Sequence, residues 1–179
     1  MSTRSRIAVV LKEDDLNKLM MPQANLLYGK LNHEDSGKEG VIDLPMLHSS
    51  SFEHPVVSIY HHWDGYPTGV GVTLMNHYDD YEKAVNLMLF GDASTINADS
   101  ENDTIEFYNY WRNDDWTSVM PMNFKNINEL KTSVRNGWEE YLYIYKPNEK
   151  GEYEWLVSPV GKRMAFRKLS DVLDEEFEK

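Results

Sequence analysis

The chain has 179 residues, no cysteine and a formal net charge of −12 at pH 7. The lack of cysteine excludes disulfides, thiolate metal sites and cysteine nucleophiles. The excess of carboxylates argues against binding to a nucleic-acid backbone, which depends on clustered Lys and Arg. No apolar run approaches the ~20 residues of a membrane helix, and no signal peptide is visible. We therefore expect one domain, residues 1–179, in the cytoplasm.

The first predicted element is a strand near the N-terminus. Residues 6–11 consist of an arginine followed by five apolar residues, a pattern typical of a central strand that is buried on both faces. Residues 16–54 show no sustained period, and we interpret residues 13–53 as an insertion between the first two strands. A loop of this length in a compact domain is often functional.

The second predicted strand leads into the most unusual stretch of the sequence, residues 59–71. Residues 55–60 are β-branched and aromatic, which predicts the strand. Asp64 and the following glycine predict the turn that ends it. We expect Thr68 to cap a helix that follows this turn. Glycines at the helix start would let a ligand or another backbone segment come close.

Two short segments resemble those of a known family. Thr-Arg-Ser at residues 3–5 precedes the first strand, and His-Trp-Asp-Gly-Tyr-Pro at residues 62–67 ends the second. The pattern resembles a family of small uncharacterised proteins of bacteriophages and prophage-bearing bacteria. The likeness extends to residues 77–78, 91–92 and 112–114, about half of the chain. It implies strand, strand and helix in that order but no activity, and residues 13–53 depart from it.

The remaining elements follow in chain order from local signals. We predict a helix at 81–89 that ends at Gly91, turns at 92–103, a strand at 104–111 and a helix from Asn126 to 136. After these we predict a hairpin of 140–145 and 153–157, an edge strand at 163–167, and a terminal helix capped by Ser170. This order predicts an α+β domain with a largely antiparallel sheet, three to four helices and a C-terminal β-hairpin.

We predict a ligand-binding site at the turn of the motif. Its residues are Arg4, His62, Trp63, Asp64, Tyr66, Gly69 and Gly71. Aromatic rings beside the N–H groups of a helix N-terminus suit a small anionic ligand such as a nucleotide. Arg4 joins the site if the first two strands are neighbours in the sheet. No cofactor, metal or complete catalytic motif is expected.

Three classes of function remain open at this stage, as does the oligomeric state. The resemblance favours a phage-associated, non-enzymatic binding protein of the host-takeover or counter-defence type, with a protein or nucleotide-like ligand as its partner in the host cytoplasm. One alternative is a virion-associated structural or accessory protein. The other is a metal-dependent hydrolase that uses His62 and Asp64, with His77 as a third ligand and Arg112, Asp114 and Asp115 as further partners.

Overall fold

The computed structural model describes residues 2–12, 54–98 and 104–178. These residues form one α+β domain around a mixed, mostly antiparallel sheet, which confirms the predicted fold class. The insertion predicted at residues 13–53 lies outside the described residues. Within the described ranges, no helix has the length and apolar character needed to cross a membrane.

Within the described residues the sheet has eight strands, with the two strands predicted first at its centre. They are β1 (Ser5–Val10), β2 (Val56–His61), β3 (Ala93–Asn97), β4 (Thr104–Phe107), β5 (Met122–Phe124), β6 (Tyr141–Pro147), β7 (Tyr153–Pro159) and β8 (Arg167–Lys168). The order is β4-β3-β2-β1-β6-β7-β8, and β5 pairs with the opposite end of β2 from β3. β1 and β2 are antiparallel neighbours. β6 and β7 form the predicted hairpin.

The helices lie on both faces of this sheet. A π-helical turn, Pro67–Gly71, continues into α1 (Val72–His77), and α2 (Tyr81–Met88), α3 (Tyr108–Trp111), α4 (Trp116–Val119), α5 (Ile127–Arg135) and α6 (Leu169–Phe177) follow. This is more than the three to four helices predicted, because α3 and α4 are single turns of four residues. The starts predicted for α2 and α5 are confirmed, and the Asp80 and Asn126 side chains accept backbone N–H bonds in the first turn of each helix.

Alternate side chains of β1 enter two separate cores, because successive residues of a strand point to opposite faces. Ile7 and Val9 belong to the core of the first face, which is covered by α1, α2 and α6. Ala8 and Val10 belong to the core of the second face, where Leu130 of α5 packs. Toward the N-terminal end of β1, the side chains on the second face change from apolar to polar.

Three predicted elements are wrong in their extent, and one of them, the edge strand expected at residues 163–167, is the two-residue strand β8, Arg167–Lys168. Residues 104–111 were expected to form one strand, but β4 ends at Phe107 and α3 begins with Tyr108. The Tyr108 N–H donates to the Asp92 carbonyl at 3.1 Å, which turns the chain away from the sheet. Residues 92–103 were expected to be turns, but they contain β3, whose pairing with β4 overrides its low strand propensity.

Two predicted helix caps are also wrong. The helix after the motif begins at Pro67, one residue before Thr68, because proline at the first helical position has its φ already set. Tyr66 occupies the cap position without a side-chain hydrogen bond. The terminal helix begins at Leu169, directly after β8, so Ser170 lies inside it.

Candidate functional site

The motif forms a tight turn that hydrogen bonds anchor to β1 and β6. Asp64 has φ of 57°, a left-handed conformation that Asp tolerates better than most residues. The Gly65 N–H donates to the Thr3 carbonyl at 2.8 Å. The Tyr143 hydroxyl, on β6, donates to the Gly65 carbonyl at 2.7 Å. The bonds to Thr3 and to Tyr143 therefore hold the turn, and with it His62 and Trp63, in place.

The glycines of this turn allow the protein to pack against itself. A Cβ on Gly65 would lie 2.6 Å from the Thr3 carbonyl oxygen, and one on Gly69 would overlap the Asp64 carbonyl oxygen. A Cβ on Gly71 would lie 3.1 Å from a methyl group of Leu169 in α6. The space that the missing Cβ atoms leave is filled by the chain, so packing alone accounts for Gly69 and Gly71.

Asp64 and Tyr66 contact each other, and Tyr66 borders a separate cavity. The Tyr66 hydroxyl donates to the Asp64 carboxylate at 3.2 Å. Tyr66 also lines a cavity of about 450 Å³, together with Tyr141 and Val172. Arg4, His62 and Trp63 do not line that cavity. Of the predicted ligand-binding side chains, Tyr66 therefore borders a different part of the surface from these three.

His61 has a structural role on the first face. Its side chain is fully buried, with Nδ1 3.1 Å from the Ser5 hydroxyl and Nε2 accepting the Ile96 N–H at 3.2 Å. Burial, with a smaller contribution from His62, lowers the pKa of His61 to about 3. The ring is therefore neutral at pH 7, with its proton on Nδ1.

We expect His61 to favour unfolding increasingly as the pH falls below 6.5, because its ring gains a proton on unfolding. Its pKa is lowered from 6.5 to about 3 in the folded protein. The stability it contributes is fully present above pH 6.5 and is lost toward pH 3, at up to ~1.4 kcal/mol per pH unit. Urea unfolding at pH 7.5, 6.5 and 5.5 measures this slope. His61→Gln, which keeps polar atoms but cannot titrate, should gain stability relative to the wild type as the pH falls; a constant difference between the two proteins would assign the pH dependence to other groups.

His62 lies on the second face and belongs to a chain of hydrogen bonds. The Arg4 side chain hydrogen-bonds the Tyr60 side chain, and the Tyr60 hydroxyl lies 2.8 Å from His62 Nδ1. Because Arg4 can only donate, the Tyr60 oxygen accepts from it and the Tyr60 O–H donates to Nδ1. His62 then keeps its proton on Nε2. Partial burial, and the charges of Arg4 and Arg112, lower the pKa of His62 and favour this neutral form.

A buried ion pair lies beside this chain. Arg6 Nε is 2.8 Å from a Glu139 carboxylate oxygen, and the two side chains are only 9% and 7% exposed. Arg6 also donates to the Ser58 hydroxyl at 3.2 Å. The backbone N–H of Arg4 donates to the Glu140 carboxylate at 3.0 Å. Together these bonds fix the segment that precedes β6 against the start of β1.

Asp92 and Arg112 complete the group. Asp92 accepts the Tyr60 N–H at 2.7 Å, and burial raises the pKa of its carboxyl to about 6. The Arg112 guanidinium lies 4.3 Å from the centre of the Tyr108 ring. It also pairs with the Asp114 carboxylate at 2.6 Å.

We call this group the polar cluster. It consists of Arg4, Arg6, Tyr60, His62, Asp92, Arg112 and Glu139. Of the predicted ligand-binding residues, it includes Arg4 and His62, and Trp63 adjoins it with its ring edge-on to His62 at 4.8 Å. The prediction missed Tyr60, Arg6, Asp92 and Glu139. Strand alternation could have found the first two, because Arg4 and Arg6 share one face, as do Tyr60 and His62.

The described residues contain no group of three or more His, Asp or Glu side chains placed to hold a metal ion. The hydrolase alternative therefore has no ligand set within the ranges that the structure covers. No family model, curated protein or solved structure matches this chain, so its function has to be argued from the polar cluster and its surroundings.

Proposed function

We propose that this protein is a non-enzymatic binding protein, of the phage-associated kind that its motif resembles, and that the polar cluster binds a small anionic ligand with an aromatic ring. In a host cytoplasm, such a protein would act by sequestering or sensing its ligand. The observation that supports the proposal most directly is the state of Arg4.

Arg4 is the arginine of the cluster whose charge is least neutralised. Arg6 pairs with Glu139 and Arg112 pairs with Asp114. Among the described residues, no carboxylate lies within ion-pair distance of the Arg4 guanidinium, which hydrogen-bonds the neutral Tyr60 hydroxyl instead. A half-buried guanidinium held in place in this way can donate two parallel hydrogen bonds to a phosphate or carboxylate.

Two neighbours would complete such a site. Neutral His62 offers its Nε2–H as a second donor, because its Nδ1 accepts from Tyr60. The Trp63 ring is 46% exposed, so a ligand ring can stack on it. The Arg4 guanidinium and the His62 Nε2–H match the phosphate of a nucleotide-like ligand, and the Trp63 ring matches its base.

The same contacts favour binding over catalysis. Burial raises the pKa of Tyr60, so its hydroxyl stays protonated and is a weak nucleophile at neutral pH. That hydroxyl is also occupied by Arg4 and His62 at once. In this proposal Tyr60 serves to hold Arg4 and His62 in place for the ligand.

The proposal is tested by calorimetric titration of the protein with AMP, 3′,5′-cyclic AMP, the dinucleoside monophosphate ApA and ATP. We expect at least one to bind, and Arg4→Gln to weaken that binding more than tenfold, since a hydrogen bond to a charged group contributes ~1.5–3 kcal/mol. Arg163→Gln, a matched change at an exposed arginine, should leave the affinity unchanged. Absence of binding by all four compounds, or equal binding by Arg4→Gln, would rule out this site.

A further inference from the structure

We infer that the ligand is a short phosphodiester with at least two bases, such as a dinucleotide, and not a nucleoside polyphosphate. This inference rests on the proposed function and adds the chemical class of the ligand. Two independent observations support it: the balance of charge in the polar cluster, and the position of the exposed tryptophans.

The balance of charge limits how much negative charge the site can accept. Two of the three arginines of the cluster already pair with carboxylates, at 2.8 and 2.6 Å. The carboxylates of Asp92 and Glu140 accept backbone N–H groups of Tyr60 and Arg4. Among the described residues, one guanidinium of the cluster therefore remains for the ligand, and the cluster also contains the carboxylates of Asp92 and Glu139.

A phosphodiester matches this site better than a monoester or polyphosphate does. A phosphodiester has one negative charge, whereas a terminal phosphate has about −1.5 to −2 at pH 7. Each additional phosphate would approach nearby carboxylates in a chain with a net charge of −12. The same repulsion acts on every further linkage of a longer strand, which favours a short ligand.

The exposed tryptophans supply more than one surface for stacking. Trp63, Trp111 and Trp138 are 46%, 53% and 80% exposed, whereas the other two tryptophans of the chain, Trp116 and Trp155, are buried. Each exposed tryptophan directly adjoins a residue of the cluster: His62, Arg112 and Glu139, respectively. Adjacent Cα atoms are ~3.8 Å apart, so the backbone positions of all three tryptophans border the cluster.

Rings that alternate with donor side chains are the usual means of binding single-stranded nucleotides. Bases stack on the aromatic side chains while phosphates contact Arg or Lys. A ligand with one base would use Trp63 alone and would leave Trp111 and Trp138 in water. A ligand with two bases joined by one phosphodiester uses a second ring and places its single charge at Arg4.

The test compares ApA, cyclic AMP and ATP by calorimetry at one salt concentration. Cyclic AMP and ApA each have one phosphodiester, so they differ mainly in the number of bases. We expect ApA to bind roughly tenfold more tightly than cyclic AMP, because stacking of a second base typically changes affinity by about that factor or more. ATP should bind less tightly than ApA.

Variants at the two outer tryptophans separate this inference from the proposed function. We expect Trp111→Ala or Trp138→Ala to weaken ApA binding roughly tenfold and to leave cyclic AMP binding unchanged. Phe177→Ala is the control, since that ring is 69% exposed on α6 and does not adjoin the cluster. Equal affinities for ApA and cyclic AMP, tighter binding of ATP, or no effect of either variant would overturn the two-base ligand and leave the proposed function standing. If no compound binds, the proposed function fails with it.

Discussion

Replacing Gly69 by alanine is expected to lower the free energy of unfolding by about 3 kcal/mol, the upper part of the range for overpacking a well-packed site. The new Cβ would overlap the Asp64 carbonyl oxygen. That oxygen also accepts the Val70 N–H at 2.8 Å, so it cannot move away without loss of the bond that joins the turn to the helix. Because the obstacle is backbone, no change of rotamer relieves the clash.

Thermal unfolding measures this effect, and a loss of about 3 kcal/mol corresponds to a Tm lower by roughly 6–12 °C for a chain of this length. Gly161→Ala is the matched control, since no atom lies within 4 Å of the Cβ it would gain. The control should stay within about 0.5 kcal/mol of the wild type. Wild-type stability of Gly69→Ala would mean that the space beside Gly69 is open, as the sequence alone suggests.

The elements predicted correctly are those with a local signal. Asp80 and Asn126 precede amphipathic segments, and their side chains satisfy N–H groups wherever the helix packs. The turn at 147–151 similarly determines the β6–β7 hairpin. β3 has no such signal: its Ser94 and Thr95 adopt a strand because β2 and β4 lie on either side.

The members of the polar cluster could be predicted in part for the same reason. Arg4 and His62 follow from the motif and from the pairing of β1 with β2. Asp92 and Glu139 belong to the cluster only because β3 starts beside β2 and because β6 runs parallel to β1. Sequence separations of 32 residues from Tyr60 to Asp92 and 133 from Arg6 to Glu139 give no pattern to recognise.

Replacing Arg6 by methionine is expected to lower the free energy of unfolding by about 3–5 kcal/mol, because it leaves the Glu139 carboxylate buried without its partner. The two side chains are 9% and 7% exposed, so water compensates little of the lost contact. Ser58 would also lose the bond it accepts from Arg6. Urea unfolding at pH 7 measures the loss.

The stability of a double variant, Arg6→Met with Glu139→Leu, shows whether the ion pair itself stabilises the fold or whether each charge is needed only to neutralise the other. Removing both charges often costs little, because the desolvation of two ions offsets much of their attraction. We therefore expect the double variant to recover most of the stability that Arg6→Met loses. A loss below about 1 kcal/mol for Arg6→Met alone would instead mean that the ion pair contributes no more to stability than a solvent-exposed pair does. If the double variant is stable but binds ApA more weakly than the wild type, the pair acts mainly by holding the segment with Trp138 beside Arg4.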